Sequence, residues 1–238
     1  MQKYSRRALS RFGKVVGLGA AMLAGIPSSP AMAAGDIDGV WEIVRPTRAL
    51  SPVDGTIPFT AEGRKLYEAH ETDRARGVYD YDLTQSRCSS PGPTRLMLSP
   101  GRLRIRNRPD VVAFQFEWNN AQRQIDMREK SSAPAFATTM IGSARGHWKD
   151  GTLVVSINNI SDRTLLDDLL PHSDDLQLTE QMRLVDSNTL EDRITIQDPA
   201  NYTRPWNAVI TYKRVADTLF DENICLDRLA AGQLPLPR

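Results

Sequence analysis

Apolar and polar residues alternate with a period of two along most of the chain from residue 102 onward. This alternation predicts β-strands that bury one face and expose the other. The predicted strands cover residues 40–44, 102–108, 111–118, 123–128, 141–148, 152–160, 176–186, 189–198 and 207–215. Tight-turn sequences join several of them. We therefore expect an all-β, antiparallel meander of about 8–9 strands that closes into a barrel.

The chain before residue 102 follows a different pattern. Residues 57–77 predict one helix, because Thr60 can cap its N-terminus, Glu62 lies in the first turn and Gly77 follows the end. Residues 79–101 are rich in Ser, Pro and Gly and show little periodicity. They predict a long loop that covers the barrel and is held by Cys88.

The first 33 residues resemble an export signal. Two adjacent arginines, Arg6 and Arg7, precede an apolar run over residues 15–26 and the small-residue site Ala31-Met32-Ala33. This order predicts a signal peptide, of the twin-arginine type, and a periplasmic or secreted protein. A retained anchor is the weaker alternative, because twelve apolar residues are short for a bilayer core of ~30 Å. Residues 34–238 would then form one barrel domain.

Charge narrows the classes of partner. The formal net charge is +1, and removing residues 1–33, with five basic residues and no acid, leaves −4. A mildly acidic domain is a poor partner for nucleic acid, and no membrane insertion is expected after signal cleavage. The arginines at positions 102, 104, 106 and 108 alternate with other residues, which favours the solvent face of a strand over a phosphate-binding tract.

The two cysteines, Cys88 and Cys225, predict one disulfide in an oxidising compartment. The chain-entropy model values so long a closed loop at ~4–5 kcal/mol. The alternative is a reactive thiol, but no C-x-x-C spacing or nearby histidine supports it.

Two carboxylates, Glu180 and Asp192, fall on the predicted inner face of their strands. A buried carboxylate is costly unless it is paired or protonated. Two explanations stay open here: an ion pair with Arg145 or Arg123, or acids with a raised pKa that are prepared for acid–base chemistry. The face that Gly142, Ala144 and Gly146 share with Trp148 has little side-chain bulk, which suits either a bound ligand or tight packing between strands.

His172 lies in the loop before the strand of Glu180, at the predicted rim of the barrel. Histidine is the side chain best suited to move protons near neutral pH, so His172 is the candidate base or acid and Glu180 its partner. His70 and His147 are expected at the surface. The histidines show no metal-ligand spacing, and no nucleotide-binding motif occurs, so we expect no metal and no cofactor.

Two resemblances support this reading. Gly39–Trp41 resembles the G-x-W opening of lipocalins and related calycin barrels. Most of the remaining chain resembles a large, mostly uncharacterised group of secreted bacterial proteins with a lipocalin-like barrel. The matching segments are FTAEG (59–63), RCSSPGPTR (87–95), GHWKDGTLVV (146–155), PHSDDLQLTEQMR (171–183), TLEDRITIQDP (189–199) and YTRPW (202–206). The chain departs from the group at His147 and Asn158.

The resemblance implies a barrel with an internal cavity, and it selects the shared residues His172, Ser173, Glu180, Arg183, Tyr202 and Trp206. Similar barrels include both carriers and cofactor-free lyases or isomerases. We therefore predict acid–base chemistry on an apolar, aromatic or terpenoid small molecule, with His172 and Glu180 as catalytic residues and Tyr202 as hydrogen-bond donor. The predicted ligand contacts are Phe116, Trp118, Arg145, Trp148, Ser173, Arg183, Asp192 and Trp206. The alternative is a non-catalytic carrier in which an arginine neutralises Glu180.

Overall fold

The computed structural model describes residues 37–129 and 137–235, so the predicted signal segment lies outside the described residues. Nine strands form a closed barrel in chain order. The strands are β1 (Gly39–Ile43), β2 (Arg102–Arg108), β3 (Val111–Phe116), β4 (Gln122–Asp126), β5 (Ser143–Lys149), β6 (Thr152–Asn158), β7 (Gln177–Asp186), β8 (Thr189–Gln197) and β9 (Trp206–Val215). The helices of the described ranges are α1 (Ala61–Ala75), α2 (Leu83–Arg87), α3 (Pro93–Met97) and α4 (Cys225–Ala230). The prediction of an all-β barrel of about nine strands is confirmed.

Strand direction departs from the prediction at one place. Neighbouring strands pair antiparallel around the ring, including β1 with β9, except that β4 and β5 run parallel and meet at the single pair Asp126–Arg145. A closed ring with an odd number of strands cannot reverse direction at every step. Closure of nine strands therefore requires one parallel pair, and here it is the shortest ladder of the barrel.

The predicted N-terminal helix is confirmed as α1. The Thr60 hydroxyl accepts a hydrogen bond from the Gly63 amide at 3.0 Å, and Gly77 follows the helix with a φ of +73°. Gly63 also lets the helix lie close to the loop at residue 201. A Cβ at this position would stand 2.2 Å from the carbonyl oxygen of Asn201.

The segment 79–101 covers one part of the barrel as predicted, but it contains the short helices α2 and α3. Leu96 and Met97 are buried in the core, and the Tyr212 hydroxyl of β9 donates to the Met97 carbonyl at 2.6 Å. The predicted disulfide between Cys88 and Cys225 is present, with 5.8 Å between the Cα atoms, and it ties this segment to α4.

The arginines of β2 lie on the outer face of the barrel, as predicted, and the C-terminal segment 216–224 packs over them. Arg104 donates to Asp217, and its guanidinium carbon lies 4.2 Å from the ring centre of Phe220. Arg102 pairs with Glu117. None of the helices in the described ranges is long and apolar enough to cross a bilayer.

Side chains fill the interior at the bare face of β5. A Cβ on Gly146 would lie 2.8 Å from Cγ2 of Ile125 and 2.9 Å from Sδ of Met127. The sequence left two explanations for the small residues on this face of β5, a bound ligand or tight packing between strands. The structure shows tight packing. The largest side chains of the core, including Trp41, Trp118 and Tyr212, are almost completely buried.

Candidate functional site

Glu180 is part of a buried ion pair. On β7 it faces the interior between Val155 of β6 and Ile194 of β8. Arg123 of β4 donates from Nη1 to Glu180 Oε1 at 2.9 Å and from Nη2 to Oε2. Neither side chain has exposed surface. The structure thus shows the first of the two sequence-based explanations for Glu180, with Arg123 as its partner.

Asp192 is the second inward carboxylate, and it has no such partner. It lies between Met182 of β7 and Ile210 of β9, one diagonal step from Glu180. Neither carboxylate oxygen has a hydrogen-bond partner among the described residues. Burial, reinforced by the charge of Glu180, raises the pKa of Asp192 well above its usual range. Burial therefore favours the protonated form of this carboxyl group over the charged one.

His172 is buried in the loop before β7, where it holds the loop together. Its Nδ1 donates to the Ser173 carbonyl at 3.0 Å, and its Nε2 lies 2.8 Å from the Thr164 hydroxyl. Burial lowers the pKa of His172, which favours the uncharged form of the ring. No hydrogen bond or ion pair among the described residues connects His172 with Glu180.

Tyr202 and Ser173 belong to the same loop cluster as His172. The Tyr202 hydroxyl donates to the Pro171 carbonyl at 2.7 Å, and burial raises the pKa of this phenol. The amide and hydroxyl of Ser173 both donate to the Asp198 carboxylate at 2.8 Å. The structure thus brings three residues of the predicted set together, and all three hold residues 171–173 in place.

Two predicted ligand contacts require correction. Arg183 and Arg145 point outward, because strand alternation places them opposite the inward residues of β7 and β5. Arg183 pairs on the surface with Glu191 at 3.0 Å. Neither arginine contributes to the barrel interior.

The four aromatic residues predicted as ligand contacts have different surroundings. Phe116 and Trp118 are buried, and Trp118 Nε1 donates to the Pro235 carbonyl at 2.9 Å. Trp206 is buried edge-on against Tyr202, with 5.6 Å between ring centres, and its Nε1 has no partner among the described residues. Trp148 is half-buried and packs against the core.

A pocket between the loop 45–51 and β9, which we call the side pocket, was not predicted from the sequence. Its volume is about 540 Å³. Val44 donates from its amide to Thr211 of β9, and Val53 donates to Asn207, both at 2.8 Å, and the loop 45–51 lies between these two contacts. The pocket is lined by Ile43, Val44, Arg45, Thr47, Ala49, Leu50, Ser51, Leu98, Val209, Ile210 and Thr211.

Buried apolar side chains form the floor of the side pocket. The floor residues Ile43, Leu50, Leu98 and Ile210 are buried. The Leu50 amide donates to Asp167 at 2.8 Å, which fixes the loop 45–51 from below. Ile210 stands directly opposite Asp192 in the β8–β9 register, so the Asp192 carboxyl group lies beside the floor. Because these residues come from a loop, from two strand segments and from residues 79–101, no local period reveals them.

The described residues contain no group of three or more His, Cys, Asp or Glu side chains that could hold a metal ion. No known protein family matches the sequence, and no curated protein resembles it closely enough to count as a relative. The resemblance to secreted bacterial proteins therefore stays a prediction.

Solved structures give distant likenesses. A variant of the fluorescent protein UnaG is 14% identical, with a TM-score of 0.35 over 76% of this chain and 98% of the other. Apo lipid binding protein 8 of Caenorhabditis elegans is 12% identical, with a TM-score of 0.37 over 76% of this chain and 96% of the other. Likenesses this distant carry no inference about a ligand. The barrel is established by its own strand pairing.

Proposed function

We propose that this protein binds an apolar small molecule in the side pocket and holds it without changing it. The side pocket is the observation that carries the proposal. Its volume of about 540 Å³ falls within the range of roughly 300–1,000 Å³ that is usual for small-molecule sites. Its floor is apolar, while Arg45, Thr47 and Ser51 line it with polar groups. This combination suits a hydrophobic molecule with one polar end, of the aromatic, terpenoid or fatty classes.

The ion pair of Glu180 favours binding over catalysis. A carboxylate held bidentate by Arg123 in a fully buried position is not available to take up a proton from a ligand. His172 is likewise engaged on both ring nitrogens. The predicted pair of base and partner therefore has no support from the contacts of either residue.

Lyase or isomerase chemistry stays a second candidate because of Asp192. A buried carboxyl group with a raised pKa beside the floor of an apolar pocket can serve as a general acid, and no cofactor is needed. In this version of the proposal, Asp192 replaces His172 as the acid.

The proposal also includes export of the protein from the cytoplasm. The sequence pattern of residues 1–33 supports a periplasmic or secreted carrier. The disulfide between Cys88 and Cys225 is compatible with an oxidising compartment.

The test uses purified full-length protein and a pool of aromatic, terpenoid and fatty compounds, with mass spectrometry of the bound and free fractions. We expect one class to be retained unchanged. Ala49→Trp, at the exposed side of the pocket, should weaken retention at least tenfold, whereas Ala69→Trp on the exposed face of α1 should not. Retention unaffected by Ala49→Trp, or no retention at all, would overturn the proposal. A compound consumed by wild type but not by Asp192→Asn would establish the second candidate instead.

A further inference from the structure

A second cavity, which we call the arginine cleft, lies between the C-terminal half of α1, the segment after it and Arg48 of the loop 45–51. Its volume is about 740 Å³. The residues of the cleft that matter here are Arg48, Glu71, Arg74, Tyr79, Tyr81 and Gln85. The cleft shares no lining residue with the side pocket, so it is a separate place on the molecule.

Two carboxylates of the cleft are already fully engaged. Asp82 accepts both terminal nitrogens of the buried Arg95, at 2.9 and 2.8 Å, and also the amides of Thr84 and Gln85. Asp168 accepts Arg95 at 2.9 Å on one oxygen and Arg48 on the other. These acceptors have little capacity left for a ligand.

The hydrogen-bond donors of the cleft, unlike these two carboxylates, keep N–H groups that have no partner among the described residues. Gln85 is more than nine-tenths buried, and its Nε2 has no partner among the described residues. A buried amide N–H without a partner is costly, which makes this atom a specific pointer to a ligand. The guanidinium group of Arg74 has no hydrogen-bond or ion-pair partner within the described ranges, and the guanidinium group of Arg48 uses only its Nε. The cleft therefore offers more hydrogen-bond donors than acceptors, which suits a ligand rich in acceptor oxygens.

The positive and negative side chains in and beside the arginine cleft are equal in number, so the ligand can be an anion. The positive charges of Arg48, Arg74 and Arg95 stand against the negative charges of Glu71, Asp82 and Asp168. An incoming anion thus meets no excess of negative charge among these groups.

Aromatic side chains supply flat surfaces beside the donors. Tyr81 is held in place by stacking on His70, with 4.4 Å between ring centres, and Tyr79 lies 6.5 Å from Tyr81. The Nδ1 of His70 in turn donates to the Leu169 carbonyl at 2.8 Å. A ligand with a planar ring can pack against such a fixed aromatic wall.

We propose that the arginine cleft is a binding site for a small aromatic carboxylate. Arg48, Arg74 and Gln85 donate to its carboxylate, and Tyr79 and Tyr81 contact its ring. This site goes beyond the side pocket and takes a different, charged class of ligand.

The test is a titration of the full-length protein with benzoate, followed by calorimetry and ligand-observed NMR. We expect Arg74→Gln and Gln85→Glu each to weaken benzoate at least tenfold, the first by removing a donor and the second by placing a carboxylate where the amide stood. Arg76→Gln is the matched control, because Arg76 lies on the same helix end, pairs with Asp73 and does not line the cleft. Its affinity for benzoate should stay within twofold of wild type.

Two further ligands and one further variant sharpen the result. Benzyl alcohol, which has the ring without the charge, should bind at least tenfold more weakly than benzoate, and inorganic phosphate should compete only weakly because it lacks the ring. Ala49→Trp in the side pocket should leave benzoate affinity unchanged, which separates this site from the proposed carrier function. Absence of benzoate binding, equal loss in Arg74→Gln and Arg76→Gln, or equal binding of benzyl alcohol would each overturn the inference.

Discussion

Substitution of Glu180 or Arg123 distinguishes a buried ion pair that stabilises the barrel from one that takes part in a functional site. Removing one partner of such a pair leaves an uncompensated charge in the core, which typically costs about 3–5 kcal/mol. We expect Glu180→Gln to lower the free energy of unfolding by this amount in urea titrations, because Arg123 stays buried without its carboxylate.

An ion pair on the outer face of β7 and β8 provides the control for Glu180. Glu191→Gln removes the partner of Arg183 on the outer face, where the pair is partly exposed. Exposed pairs contribute about 0–1 kcal/mol, so this variant should stay close to wild type. If the two substitutions destabilise equally, the interior of the barrel is wet and the ion pair is not a core element.

Asp192 should make the protein less stable as the pH rises. Because its folded pKa is raised, the folded state holds the proton more tightly than the unfolded chain does. Stability then falls by up to about 1.4 kcal/mol per pH unit from the unfolded pKa near 3.9 toward the folded pKa. We expect Asp192→Asn to remove this slope between pH 4 and 7, measured as the free energy of unfolding at each pH.

A surface aspartate with the opposite shift is the control for Asp192. Hydrogen bonds from Arg128 lower the pKa of Asp126 to about 2. Its stabilising contribution is present above the unfolded pKa and is lost as the pH falls toward 2. Asp126→Asn should therefore lower stability by a constant amount above pH 4, remove the pH dependence that Asp126 causes below pH 4, and leave the slope between pH 4 and 7 intact. An unchanged slope in Asp192→Asn would mean that Asp192 is ionised in the folded barrel.

At the level of elements, the period-2 pattern was sufficient for the strands. Predicted strand 102–108 coincides with β2, and predicted strand 189–198 ends one residue after β8, because each buries every second residue. The five-residue helices α2 and α3 were missed, since one turn of helix leaves no detectable period. The parallel contact of β4 and β5 was missed as well, because it follows from closing the whole ring.

The candidate site was less predictable than the strands, because its contacts join residues that are distant in the sequence. Parity placed Glu180 and Asp192 inside, but only the three-dimensional arrangement distinguishes Arg123 from Arg145 as the partner of Glu180. His172 looked like a proton carrier because its loop precedes β7. Its hydrogen bonds to Thr164 and Ser173, which engage both ring nitrogens, depend on loop packing that no sequence period encodes.

The contact between β4 and β5 depends on the absence of a side chain at Gly146. An added methyl group would press on Ile125 and Met127 of the neighbouring strand segment. We expect Gly146→Ala to cost about 1–3 kcal/mol of unfolding free energy, as overpacking usually does. It should also speed amide exchange in β4 and β5 more than in β7 and β8. His147→Ala, at the exposed neighbouring position, should do neither, and equal exchange in all four strands would contradict this account.

At the level of the whole molecule, the disulfide constrains nearly all of the barrel at once. Cys88 and Cys225 are 137 residues apart, and strands β2 to β9 lie between them. Closing so long a loop in the unfolded chain is worth about 4–5 kcal/mol in the chain-entropy model. Because eight of the nine strands lie inside this loop, the loss of stability on reduction should be global and should appear as a lower urea midpoint for the whole barrel. The double variant Cys88→Ser/Cys225→Ser should show the same loss and no response to reductant. A loss confined to amide exchange in α2 and α4 would instead mean that the bridge only holds the covering segment in place.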